Sequence, residues 1–285
     1  METYHNIAAY AGRYSELKAK GLSIGFVPTM GALHAGHLSL IRSSKKDNDI
    51  TVCSIYVNPT QFNDKGDFEK YPRLLEDDIA ELESCDCDIL FAPESEEMYP
   101  SDTAGNGHRD LELGTLLEVM EGQFRPGHFA GVLTIVEKLF RIIKPDRAYF
   151  GQKDYQQLVV VRSMNEKLNL PIEIIGCPTI RETNGLALSS RNLLLTDEQR
   201  AEASAIYRSL AKGKERLKQL DVERFKQIVI DEIDSRSNLS VEYVEIADSR
   251  SLQPIDKWSC TDSAVCCVAV RAGDVRLIDN IILYN

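Results

Sequence analysis

The chain has 285 residues, 43% of them hydrophobic and 27% charged, which is the composition of a soluble globular protein with material for more than one core. Its formal net charge of −11 excludes a protein built mainly to grip a nucleic-acid backbone, because that task needs a basic face. The opening METYHNIAAYAGRYSELKAKG has no basic region followed by an apolar stretch, and no apolar run reaches membrane-spanning length, so a cytoplasmic protein is expected, with no membrane or nucleic-acid partner.

In chain order, apolar runs bounded by turn residues predict buried parallel strands at Leu22–Val27, Ile50–Val57, Asp88–Pro93, Arg147–Phe150 and Ile172–Cys177. Amphipathic segments at His37–Lys46, Leu74–Glu83, Val132–Ile143 and Tyr155–Leu168 fall between them. This alternation predicts an α/β fold, a Rossmann-like doubly wound parallel sheet with right-handed crossovers. After about Pro178 the pattern changes. Two charged helices, Asp197–Leu220 and Val222–Arg236, precede strand-like runs at Val241–Ala247, Ala264–Arg271 and Val275–Tyr284, with Gly273-Asp274 as a hairpin turn. The expected organisation is a domain of residues 1–178 and a smaller C-terminal α+β lid domain of residues 179–285, with the polar RETNGLALSSRN at Arg181–Asn192 as the hinge. The seven cysteines are odd in number, lack Cys-x-x-Cys spacing and lie mostly in apolar runs, which predicts reduced core thiols.

The first strand runs into GFVPTMGALHAGHLS. A helix restarting near Gly36-His37 would offer unpaired N–H groups and a partial positive charge, and Gly31 and Gly36 would let the backbone approach a ligand, which together suit a nucleotide triphosphate. His34 and His37 stand three apart, so both imidazoles can share one face and donate to phosphate oxygens. No third ligand lies at local spacing, so zinc is not expected.

A strand followed by HxGH at a helix start resembles the signature of the nucleotidyltransferases and class I aminoacyl-tRNA synthetases. With YVNPTQF at Tyr56–Phe62, FRPGHFAGV at Phe124–Val132, FGQKDYQQL at Phe150–Leu158 and LSSRN at Leu188–Asn192, the chain resembles one family within that group, the pantothenate synthetases or pantoate:beta-alanine ligases. The likeness runs in uninterrupted order from about Ile24 to Arg200 and is weaker beyond.

The resemblance implies ATP contacts at Met30, Gly31, Ala32, Leu33, His34, Ala35, Gly36 and His37, at Gly151, Gln152, Lys153 and Asp154, and at Ile180, Leu188, Ser189, Ser190 and Arg191. His37, His34, Lys153 and Arg191 carry the catalytic roles. It implies pantoate contacts at Asn58, Gln61, Arg125 and Gln157, with Val132, Ile135 and Val136 on the apolar side, although those three also fit a plain core face. Gln61 would meet beta-alanine as well. His128 fits capping or packing equally well. Asp77 and Asp78 would be outer magnesium contacts, or simply acidic partners of a helix dipole, and Thr196-x-x-Gln199 reads as a capping box.

The implied chemistry is attack of the pantoate carboxylate on the ATP α-phosphorus, with magnesium accompanying the nucleotide, followed by attack of the beta-alanine amine on the pantoyl adenylate. No organic prosthetic group and no protein nucleophile is needed, and a homodimer is implied. Three alternatives remain at this stage: an adenylyltransferase that keeps its adenylylated product, a tRNA-binding synthetase relative, which the acidic charge disfavours, and a nucleotide sensor without turnover.

Overall fold

In the computed structural model, residues 1–62, 65–100, 111 and 113–284 are described, apart from the side chains of 65, 67 and 70. The elements in order are β1 Glu2–Tyr4, α1 Ile7–Ala19, β2 Ile24–Thr29, α2 Ala35–Asp47, β3 Ile50–Ile55, α3 Lys65–Lys70, α4 Leu75–Ser84, β4 Ile89–Phe91, α5 Ser95–Met98, α6 Glu121–Phe124 and α7 His128–Ile143. There follow β5 Arg147–Gly151, α8 Tyr155–Lys167, β6 Glu173–Cys177, α9 Asp197–Glu215, α10 Val222–Asp234, β7 Leu239–Asp248, β8 Ala264–Ala272 and β9 Val275–Tyr284.

The chain divides into two compact units. One comprises Met1–Leu113, Arg125–Gln152 and Val160–Pro178; the other comprises Gly114–Phe124, Lys153–Val159 and Thr179–Asn285.

The first unit holds a six-stranded sheet in the order β1-β4-β3-β2-β5-β6, parallel throughout. Its four inner strands, β2 to β5, are mostly buried on both sides because helices cover both faces. Val27 of β2 joins Leu38 and Ile41 of α2 and Leu82 of α4 in one cluster. The neighbouring Phe26 points the other way, with its ring 6.4 Å from that of Phe140 on α7, and Tyr10 of α1 lies 5.7 Å from Phe91 of β4 on the same principle of alternation. From β2 the chain winds outward through β3 and β4, then returns to place β5 on the other side of β2. The carboxyl ends of β2 and β5 therefore flank the topological switch point, where open α/β sheets bind ligands.

The second unit is a three-stranded antiparallel sheet, β7-β8-β9, with α9 and α10 on one face. Phe225, Val229 and Ile233 of α10 and Ile206 and Leu210 of α9 pack there against Val244, Ile246, Cys266, Val268 and Leu277. Met120, Tyr155 and Val159 cover the opposite face against Val265 and Cys267, so β8 can be apolar from Ala264 to Val270, and two segments that precede Pro178 in sequence pack with this sheet. Ala272 pairs with Val275 across the two-residue turn, where Gly273 has φ 58°, a backbone angle that side chains disfavour. Thr196 and Gln199 form both bonds of the capping box at the start of α9. Six cysteines are buried and Cys260 is exposed, all as free thiols. Among the described residues no helix is long and apolar enough to cross a membrane.

The segment read as a hinge is instead pinned inside the second unit. Arg181 bridges to Ala187 and makes a bidentate ion pair with Asp279, and Glu182 binds both Arg200 and Asn192. Its polar composition reflects these partners rather than freedom to bend.

Candidate active site

In the first unit, the turn after β2 is a backbone structure. Gly31 has φ 79° and Ala32 has φ 49°, and the N–H groups of Ala32 and Leu33 both donate to the Asp78 carboxylate, at 3.0 and 2.7 Å. Asp78 is buried on α4, and burial pushes its carboxyl up despite those two bonds, which act in the opposite direction. A Cβ on Gly31 would stand 2.7 Å from the Asp78 oxygen, so glycine and aspartate fit each other.

His34 then caps α2, accepting the Gly36 N–H at its Nδ1 over 3.1 Å. A Cβ on Gly36 would meet that ring at 2.7 Å, which explains the glycine of HxGH locally. The His34 and His37 rings lie 4.1 Å apart, tilted by 32°, so the two imidazoles do share one face at the helix N-terminus. The sequence between β2 and α2 thus folds into an anion-ready end of a 13-residue helix.

After β3, Asn58 caps the turn Pro59–Gln61. Its amide is spent inside the protein: Nδ2 donates to the Gly131 carbonyl at 3.1 Å and to Gln61 Oε1 at 3.2 Å, while Oδ1 accepts from the Tyr99 hydroxyl at 2.9 Å. Asn58, at 1% exposure, is thus bonded both to Gln61 and to the backbone of α7. The Gln61 Nε2 lies 2.8 Å from Met30 Sδ, which brings the Met30 loop and the YVNPTQF loop together.

From α7, Gly131 approaches this turn so closely that a Cβ would sit 2.3 Å from the Thr60 oxygen. His128 is buried, with Nδ1 at 2.9 Å from the Gln61 carbonyl oxygen and Nε2 at 3.1 Å from Arg125 Nη1. It fastens the arginine of FRPGH to the glutamine of YVNPTQF. Val132, Ile135 and Val136 are buried on the inner side of α7. Gly151 ends β5 at the switch point and Gln152 opens the turn that follows.

The second unit gathers the cationic residues. Lys153, Ser189 and Arg191 line one cleft, together with Arg276 and Asp279. Ser189 caps the turn Ser190–Leu194, accepting the Arg191 N–H at 3.3 Å. Lys153 Nζ is 3.6 Å from the exposed Asp154 carboxylate. Ile180 is exposed, with its carbonyl taking the Leu188 N–H at 2.9 Å, and Gln157 is half-buried on α8.

Asp77 is exposed, both Asp78 oxygens are engaged by backbone N–H groups, and among the described residues no group of three His, Cys, Asp or Glu side chains is placed to hold a metal. Motif reading named Asp78 but not its bonds to the Met30–Leu33 turn, and it missed Asp279, Asn280 and Arg276 around the cleft. For those bonds of Asp78, an acidic residue within a helix, no local signal exists.

Comparison with known proteins agrees with this geometry. The family model for pantoate-beta-alanine ligase matches residues 2–282. The pantothenate synthetases of Bacteroides fragilis (strain YCH46) and Porphyromonas gingivalis (strain W83) are each 48% identical over 281 residues, covering 99% of this chain and 98% and 99% of theirs. A crystal structure of pantothenate synthetase from Thermus thermophilus superposes with a TM-score of 0.91 at 41% identity over all of both chains. That of the Francisella tularensis pantoate-beta-alanine ligase, complexed with beta-gamma ATP and beta-alanine, gives 0.79 at 38% identity, covering 99% of this chain and 98% of that one. A backbone-built HxGH turn at the switch point and a match across nearly the whole chain lead to one conclusion: the chain belongs to the pantoate-beta-alanine ligase family.

Proposed function

We propose a division of labour for the ligase reaction, the ATP-dependent condensation of pantoate with beta-alanine into pantothenate, AMP and pyrophosphate through a pantoyl adenylate. The Met30–His37 turn and the N-terminus of α2 hold the nucleotide, with His34 and His37 donating to phosphate oxygens. Lys153, Ser189 and Arg191 take the β- and γ-phosphates and stabilise charge as pyrophosphate leaves. Gly151, Gln152 and Asp154 contact the nucleotide, and Ile180 and Leu188 lie beside its base.

Gln61, Arg125 and Gln157 bind pantoate, and Gln61 also meets beta-alanine. Asn58 and His128 orient the first two. Neutral amides suit this task because they can read hydroxyls and a carboxylate without altering the charge of the reacting group. Magnesium enters with ATP as part of the substrate. Free core thiols and the use of ATP support a cytoplasmic location, and the family likeness supports a homodimer, which molecular mass in solution would test.

The observation that carries the phosphate assignment is the single cleft lined by Lys153, Ser189 and Arg191. His37→Ala, Lys153→Ala and Arg191→Ala should each slow adenylate formation by about 100- to 1,000-fold, the usual cost of removing one charge-stabilising donor, with melting temperatures near the parent's. Pantoate-dependent exchange of labelled pyrophosphate into ATP measures this step. Parent-like exchange in all three variants would overturn the assignment.

A further inference from the structure

We infer that two adjacent residues of β9, Asp279 and Asn280, are positioning residues that set the spacing of the cationic groups across the cleft; this rests on the phosphate role given above to Lys153, Ser189 and Arg191. Successive residues of a strand point to opposite faces. Along β9, Leu277 and Ile281 pack with the α9 and α10 side while Ile282 packs with the Tyr155 side. Asp279 and Asn280 therefore leave the same strand in opposite directions, and each fastens one wall of the cleft.

On one side, the Asn280 Nδ2 donates to the Lys153 carbonyl at 2.8 Å, which fixes the backbone that carries the lysine. On the other, Asp279 takes both Nη atoms of Arg181, at 2.6 and 2.9 Å, and the guanidinium is further held 3.6 Å over the Tyr207 ring and 3.2 Å from the Gly185 carbonyl. Arg181 opens the small antiparallel bridge to Ala187. Asn192 then donates to the Ala187 carbonyl at 3.0 Å, so the turn that bears Arg191 is tied to that bridge. The path Asp279, Arg181, Ala187, Asn192 ends at Arg191, as the path Asn280, Lys153 ends at the lysine. Both anchors are buried, at 4% and 7% exposure.

Charge gives Arg181 a second duty. Asp279 lines the cleft, and an unpaired carboxylate there would repel phosphate oxygens, whereas the bidentate arginine cancels it.

The test uses the full chain and two alterations that spare its charge balance or shape. Asn280→Asp keeps the shape and loses the donor. The double variant Arg181→Gln with Asp279→Asn removes the tether without changing local net charge, and replacing both partners of a buried pair is far gentler on stability than removing one. Each should raise the KM for MgATP in pyrophosphate exchange by about 10-fold, the worth of a good hydrogen bond or two, while the KM for pantoate moves less than about 2-fold on the same scale. Inhibition by adenosine, which carries no phosphate, should be unchanged. An unaltered KM for MgATP in both variants, or equal losses for MgATP and adenosine, would overturn the inference. If Lys153→Ala and Arg191→Ala are impaired while these variants are not, the positioning role alone fails; if all are parent-like, the phosphate assignment itself has failed.

Discussion

The two units arrange their polar residues with different materials. In the first unit, the Met30–His37 turn, Asn58, Gln61 and Gly131 are arranged by backbone angles, neutral amides and close approaches, with Asp78 as the one anion among the supports. In the second, Lys153, Arg191 and Arg276 line a cleft whose walls are braced by ion pairs such as Arg181 with Asp279 and Arg276 with Glu121. Steric fit is intolerant of added atoms, and charge pairing is intolerant of a lost partner. The two regions should therefore fail to different substitutions.

The largest effect is expected from Arg276→Gln. Arg276 holds Glu121 through two bonds of 2.6 and 2.7 Å and also pairs with Glu242. Glu121 in turn accepts from the Tyr243 hydroxyl at 2.9 Å. Taking the arginine from the buried Glu121 carboxylate, while Glu242 keeps Arg271 at 3.5 Å, should cost about 3 to 5 kcal/mol, read by urea denaturation; a loss under about 1 kcal/mol would show that these pairs do not brace the second unit.

Gly131→Ala is the matching challenge to the first unit. The new methyl must displace the Thr60 backbone, which should cost about 1 to 3 kcal/mol and raise the KM for pantoate more than that for MgATP. Equal effects on both substrates would erase the contrast between the units.

The smallest effect concerns acid. Burial opposes ionisation of Asp248, but the N–H groups of Ser251 and Arg250 and the hydroxyls of Thr261 and Ser251 outweigh it and lower its pKa from the ordinary 3.8 to about 2. A lowered folded-state value means that the stabilisation is present above 3.8 and is lost as pH falls toward 2. Melting curves should therefore show a shallower decline across that window for Asp248→Asn than for the parent, from a lower starting point. Identical slopes would remove this carboxylate from the account.

The parallel strands, the three C-terminal strands and the capping box at Thr196 were legible because each is dictated by neighbours in sequence. Five elements escaped, three of them the short α3, α5 and α6, with four to six residues each. β1 has three residues, too few for a period to declare itself, and α1 buries only Tyr10 and Leu17, so its apolar stripe is thin; its clearest local mark is Asn6, whose side chain accepts the Ala9 N–H at 2.8 Å. The site motifs were equally visible, since they cluster in short stretches. What they could not disclose is which polar residues face inward to other polar residues. Asn58 and Gln61 look alike in YVNPTQF, and only the approach of Gly131, 73 positions away, gives the first to the protein's own backbone. Arg181 reads as a solvated hinge residue until Asp279, 98 positions on, is seen beside it.

The cap on α2 also fixes a chemical detail. An imidazole that accepts the Gly36 N–H at Nδ1 must, when neutral, carry its proton on Nε2. The fold thus selects one tautomer of His34 before any substrate arrives.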